Sequence, residues 1–127
     1  MTPSGLREDV DRLLRVHIHS VEQMEVLLLL RAHPSRDWTG AQAAQELRID
    51  PDSAGGRLSD LHARGFLAPG APGAFRYAPE HPDVARAVEG LAAAYAERRV
   101  TVINLIFSKP SERISSFADA FRLRRGR

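Results

Sequence analysis

WTGAQAAQELRIDPDSAGGRLSDLHARGFL, residues 38–67, reads as two short helices joined by a tight turn. Thr39 is a good N-cap, and the AAQEL run behind it is strong helix former. Asp50-Pro51 then resets the chain. Asp50 can cap a second helix, and Pro51 at its first position gives up no hydrogen bond that was available. Ala54, Leu58 and Leu61 recur at spacings of four and three, which puts them on one face. Gly65 supplies the stop, and Phe66-Leu67 begin an extended run. Helix, turn, capped helix, glycine, strand is the helix-turn-helix order, whose second helix commonly enters a DNA major groove.

Outward from this stretch the pattern stays mostly helical. Residues 5–16 place Leu6, Val10, Leu13 and Leu14 at helical spacing, so an amphipathic helix is predicted within an amino-terminal segment 1–19. Ser20 with Gln23 fits a capping box, and a central core helix follows over Val21–Ala32, with Met24, Val26, Leu27, Leu28 and Leu30 apolar. His33-Pro34-Ser35 ends it. The scaffold helix is predicted over Gly40–Leu47, with Ala43, Ala44 and Leu47 inward, and the next over Asp52–Arg64. Leu67–Pro79 reads as a hairpin with PGAPG at its tip and Ala74-Phe75-Arg76-Tyr77 as the return strand. A single long helix is then predicted over Asp83–Ile106, the body of a segment 81–107. Val84, Val88, Leu91, Tyr95, Val102 and Leu105 recur along it mostly at threes and fours, and dimerisation through these six is the expectation. The alternative is that this helix packs back on the amino-terminal helix of its own chain. Ser108-Lys109-Pro110-Ser111 breaks the helix. In the remaining tail, 108–127, Ile114, Phe117, Ala118 and Phe121 share a face, with Arg122, Arg124, Arg125 and Arg127 behind. Phe117, Phe121, Arg122, Arg124 and Arg125 are its candidate contacts to a partner protein, to phosphates or to an acidic membrane surface. The tail can equally tuck its apolar face onto the dimer.

Ile49-Asp50-Pro51, Ala54, Leu58, Leu61, Gly65 and the apolar pair after it resemble the frame of the winged helix-turn-helix domain of bacterial transcriptional regulators, broadly of the MarR or ArsR kind, over about residues 20–80. The resemblance implies a mainly α fold with a small β-hairpin wing, flanked by amino- and carboxy-terminal helices and dimeric. It also implies a regulator that binds double-stranded DNA. Carried over position by position, it turns Asp52, Ser53, Gly55, Gly56, Arg57 and Asp60 toward the groove. The implied DNA-binding set is Thr39, Gln42, Ser53, Gly55, Gly56, Arg57, Arg64 and Arg76. Regulators commonly place Ser, Thr, Arg, Gln or Asn at such positions, because those side chains reach base edges and phosphates. Here two of the six groove positions are Gly and two are Asp. Each glycine inside a helix costs about 1 kcal/mol relative to alanine, and Asp52 repels phosphate.

Charge sharpens the question. Of 18 basic residues 17 are arginine, yet residues 1–107 hold 12 basic against 14 acidic side chains. Residues 108–127 hold 6 against 2, so the basic excess lies in the tail. DNA-binding domains normally show a basic face, because phosphate contacts supply most non-specific affinity. Three readings therefore stand open. One is a DNA-binding regulator whose groove helix approaches closely through Gly55 and Gly56. Another is a winged helix turned to protein contact, with a partner on the Gly-Gly face or on the tail. The third is a ligand-gated regulator with a pocket between the long helix and the core.

Other chemistry is faint. No cysteine is present, which excludes a disulfide framework and thiolate metal sites. MTPSGLREDV carries charge where a signal peptide needs an apolar run, and Val26–Leu30 is far too short to span a bilayer, so a cytoplasmic protein is expected. The arginine-rich, alanine- and glycine-rich composition reads as a high-GC bacterial gene. His17 and His19 could start a metal site with His33, His62 or His81, but no carboxylate completes a recognisable spacing, and surface histidines are the expectation. PGAPG lacks the Lys and Ser/Thr of a phosphate cradle. No catalytic constellation is legible, so neither enzyme activity nor a cofactor is expected. Trp38 is read as a staple packing on the scaffold helix.

Overall fold

The computed structural model describes residue 2 and residues 4–108. Among them are α1 Glu8–Val16, α2 Val21–Ala32, β1 Trp38–Thr39, α3 Gly40–Leu47, α4 Pro51–Ala63, β2 Leu67–Pro69, β3 Ala74–Tyr77, α5 Pro82–Glu97 and α6 Arg99–Ser108. The protein is mainly helical, with a small antiparallel sheet in the order β1-β3-β2. No helix among the described residues is long and apolar enough to cross a membrane.

Capping explains most helix starts. Ser20 accepts the Gln23 amide at the head of α2, and Asp50 accepts the Ser53 amide at the head of α4. At α3, Thr39 Oγ1 accepts the Gln42 amide while Gln42 Oε1 accepts the Thr39 amide, a reciprocal box. α4 ends in a Schellman motif. The Phe66 amide bonds Leu61 and the Gly65 amide bonds His62, with Gly65 at φ 91°, a conformation that L side chains rarely adopt.

α2 is the axis of the core. Its Met24, Val26, Leu27 and Leu30 are buried, together with Ala43 and Ala44 of α3, Ala54, Leu58 and Leu61 of α4, and Trp38 of β1. Removing an aliphatic side chain of this size from water contributes about 1.5–3 kcal/mol. A second group of helices joins the same core. α1 packs along α5, and both touch α6.

One expectation is extended and one is corrected. Trp38-Thr39, read from sequence only as a staple and a cap, is also a short strand, pairing Trp38 with Phe75 and Thr39 with Ala74. The predicted single helix over 83–106 is two helices. Arg98 leaves helical geometry at φ −133°, ψ 53°, and its guanidinium donates to the Gly5 carbonyl at 2.9 Å. A straight helix would carry residues 99–108 away from the body. The break turns α6 back, so that Val102 and Ile106 reach the core.

That packing also settles where the expected dimer residues lie. Val88, Leu91 and Val102 are fully buried inside their own chain, so they face no second subunit. Val84 and Leu105 are partly buried against the same core. Tyr95 donates to Glu25 Oε2 on α2 at 3.0 Å, under the Arg99 guanidinium. The helices fold onto the amino-terminal helix of the same molecule because those side chains complete one core. The tail residues Phe117, Phe121, Arg122, Arg124 and Arg125 lie outside the described residues.

Candidate functional site

The face built by α3, α4 and the β2–β3 hairpin carries the eight residues expected to meet DNA. Most of their side chains are engaged by other groups of the same chain. Glu22 on α2 accepts a hydrogen bond from Ser53 Oγ and pairs with Arg57 Nε at 2.9 Å. The Ser53 and Arg57 bonds hold the Glu22 carboxyl below its usual pKa. Asp60 accepts from Arg64 Nε at 3.0 Å and from Gln23 Nε2 at 2.9 Å. Ser53, Arg57 and Asp60 thus lie on the flank of α4 that meets α2, and not on an outward groove face.

Arg76 is engaged as well. Its Nε lies 3.0 Å from Asp37 Oδ1, and Asp37 Oδ2 accepts the Ala71 amide at 2.8 Å. One carboxylate therefore ties the hairpin tip to its return strand. Thr39 and Gln42 spend their side-chain oxygens on the helix cap described above. What α4 exposes is Pro51, Asp52, Gly56, Ser59, His62 and Ala63, a surface with no arginine or lysine. His62 is tilted against Phe75 at 5.2 Å between rings. Arg36 stacks over Trp38 at 3.7 Å, and it lines a polar hollow with Gln42, Gln45, Glu46 and Arg48 along α3.

Glu22 and Asp37 are the residues that sequence reasoning missed as determinants of this face. Glu22 and Asp37 stand tens of positions from Arg57 and Arg76 and leave no periodic signal, so only the fold brings those pairs together.

The two glycines of α4 are not required by packing. A methyl group on Gly55 or Gly56 would meet nothing within 4 Å. The close approach is made from the other side: a Cβ on Gly40 would sit 3.1 Å from both Cα and N of Gly55. Gly55→Ala and Gly56→Ala should therefore each stabilise the fold by about 1 kcal/mol, through helix propensity alone. Gly40→Ala should destabilise it by about 1–3 kcal/mol, by forcing α3 and α4 apart. Thermal melts of the three variants check both signs.

His17 lines a groove of about 230 Å³ with apolar Leu13, Val16, Phe66, Val84 and Ala87 and charged Asp9, Arg12, Arg64 and Asp83. His17 stands edge-on to Phe66, and its Nδ1 lies 3.5 Å from Arg64 Nη1. Burial, then Arg64, push its pKa down, with Asp60 opposing. The folded chain therefore resists protonating His17, whereas the unfolded chain does not. Its contribution to stability is full above the ordinary imidazole range and is lost as the pH falls from about 6.5 toward the lowered folded value. Melting temperatures from about pH 7.5 to about pH 5.5 should fall more for the wild type than for His17→Gln.

The remaining histidines are dispersed. His33 packs on Trp38, and His81 caps α5 through Nδ1. Among the described residues no three His, Asp or Glu side chains are grouped to hold a metal ion.

Comparison with known proteins finds no matching family model, no matching curated protein and no matching solved structure.

Proposed function

We propose that this chain is a winged helix-turn-helix module that works by contacting another protein and not by reading duplex DNA. The order α2, β1, α3, α4, β2, β3, with the hairpin beside the second helix of the motif, supports the winged-helix reading. The observation that carries the functional choice is the pairing of its arginines. Arg57, Arg64 and Arg76, the cations expected on phosphates, each meet a carboxylate of their own chain. The outward surface of α4 is then smooth and without positive charge. Such a surface suits a packed protein partner better than a polyanion.

Regulation by DNA binding is the second reading, and one observation favours it. Arg36 and Arg48 flank α3, where backbone phosphates would run, and neither has an ion-pair partner among the described residues.

Titration of the full chain with random duplex DNA across a salt series separates the two. The expected result is no saturable binding by the α3–α4 face even at low salt. Affinity that falls steeply with salt, with a slope reduced by about one in Arg57→Ala and again in Arg76→Ala, would reverse the choice. On the protein-contact reading, Gly56→Arg should release a partner held by the wild type while the fold stays intact.

A further inference from the structure

The groove that His17 lines, between α1 and the start of α5, has an apolar base continuous with the core. Leu13, Phe66 and Ala87 are buried there, yet Val16 beside them is 52% exposed. A lone exposed valine is ordinary on a protein surface. One that extends an apolar hollow marks a place where further apolar surface can be covered.

The charges around this hollow do not cancel. Asp9 is held by Arg7, at 3.0 and 2.8 Å, and Asp83 by Arg86, at 3.0 Å, so cations from outside the groove already answer both carboxylates. Arg64 spends its Nε on Asp60. Arg12 is exposed and has neither an ion pair nor a hydrogen bond among the described residues. A guanidinium only donates, so His17 Nδ1 accepts from Arg64 and the neutral ring keeps its proton on Nε2, a further donor. The groove therefore joins an apolar base to one unanswered positive charge.

Size decides the kind of occupant. Pockets for free small molecules commonly have about 300–1,000 Å³ and bury most of the ligand. This groove has about 230 Å³ and stands open at Val16. It has room for one apolar side chain, and further affinity must come from surface outside it, as for an anchor residue at a protein interface. A chain terminus brings an apolar side chain and a carboxylate on one residue, which no internal residue does. We infer that the groove receives the apolar C-terminal residue of a partner protein, its side chain against Leu13, Phe66 and Val84 and its terminal carboxylate on Arg12. The inference rests on the protein-contact reading for its class of partner and gives that partner a surface apart from the exposed face of α4.

The test presents the full-length protein with a library of peptides randomised over their last residues and carrying a free terminal carboxylate. The same library amidated at that end is the control. The wild type should select free-acid peptides that end in a large apolar residue, and amidation should weaken each at least tenfold. Arg12→Gln and Val16→Asp, both at exposed positions, should each weaken binding at least tenfold while melting as the wild type does. Gly56→Arg should leave peptide binding unchanged. Selected peptides beside salt-dependent binding of duplex DNA would support the groove while reversing the reading of α4, which keeps the two failures apart. No preference at the last residue, equal binding of amidated peptides, or wild-type affinity in Arg12→Gln would overturn the inference. N-acetyl-leucine binding as tightly as the selected peptides would assign the groove to a free small acid and overturn it as well.

Discussion

Leu91→Asp should unfold the chain at every protein concentration. Leu91 is fully buried, on the face of α5 that enters the common core. Losing a buried leucine typically costs about 2–5 kcal/mol, and a carboxylate without a partner in its place adds several more. Natural domains are stable by only about 5–15 kcal/mol, so little of the folded state should remain. The measurement is a far-ultraviolet melt beside sedimentation at low and high concentration. A folded protein of halved mass would instead mean that α5 forms a subunit interface, and it would contradict the interior position of this side chain.

Gln23→Leu should be the largest isosteric loss, about 3–5 kcal/mol in total, because several buried groups lose a partner together. Gln23 is buried, and its amide works as a joint. Nε2 donates to the His17 carbonyl at 2.9 Å and to Asp60 at 2.9 Å, while Oε1 accepts the His19 amide at 2.6 Å. It therefore fixes the link between α1 and α2 and fastens α4 to both. Leucine fills the volume but leaves a peptide carbonyl and a peptide amide dry. Chemical denaturation should show the loss, and Gln23→Glu should not recover it, since a carboxylate would face Asp60. A change below about 1 kcal/mol would mean that water replaces the bonds.

The helices of the central motif were legible because capping and periodicity are local. Thr39, Ser20 and Asp50 each cap the helix that the sequence assigns to them. Gly65 and the hairpin after it were legible for the same reason. β1 was not, because two residues carry no alternation, and Trp38-Thr39 becomes a strand only when Phe75 and Ala74 arrive beside it. The break at Arg98 has neither glycine nor proline to announce it. It follows from the needs of the core, which takes Val102 and Ile106 only if the chain turns. The candidate face was half legible. The sequence places Ser53, Arg57, Arg64 and Arg76 on the right elements, and its acidic balance already argues against a phosphate-seeking surface. Asp60, four residues before Arg64, is within reach of helical spacing, whereas Glu22 and Asp37 become visible only in three dimensions.

The meeting of Gly40 with the backbone of Gly55 bears on how quickly anything can dock here. With no side chains between them at that point, α3 and α4 have no cushion through which to shear. On the protein-contact reading, the pair would offer a partner one shape, held before encounter. Association should then follow a single kinetic phase whose rate rises linearly with partner concentration, without the plateau that a slow rearrangement imposes. Selectivity among partners would show in how long each one stays.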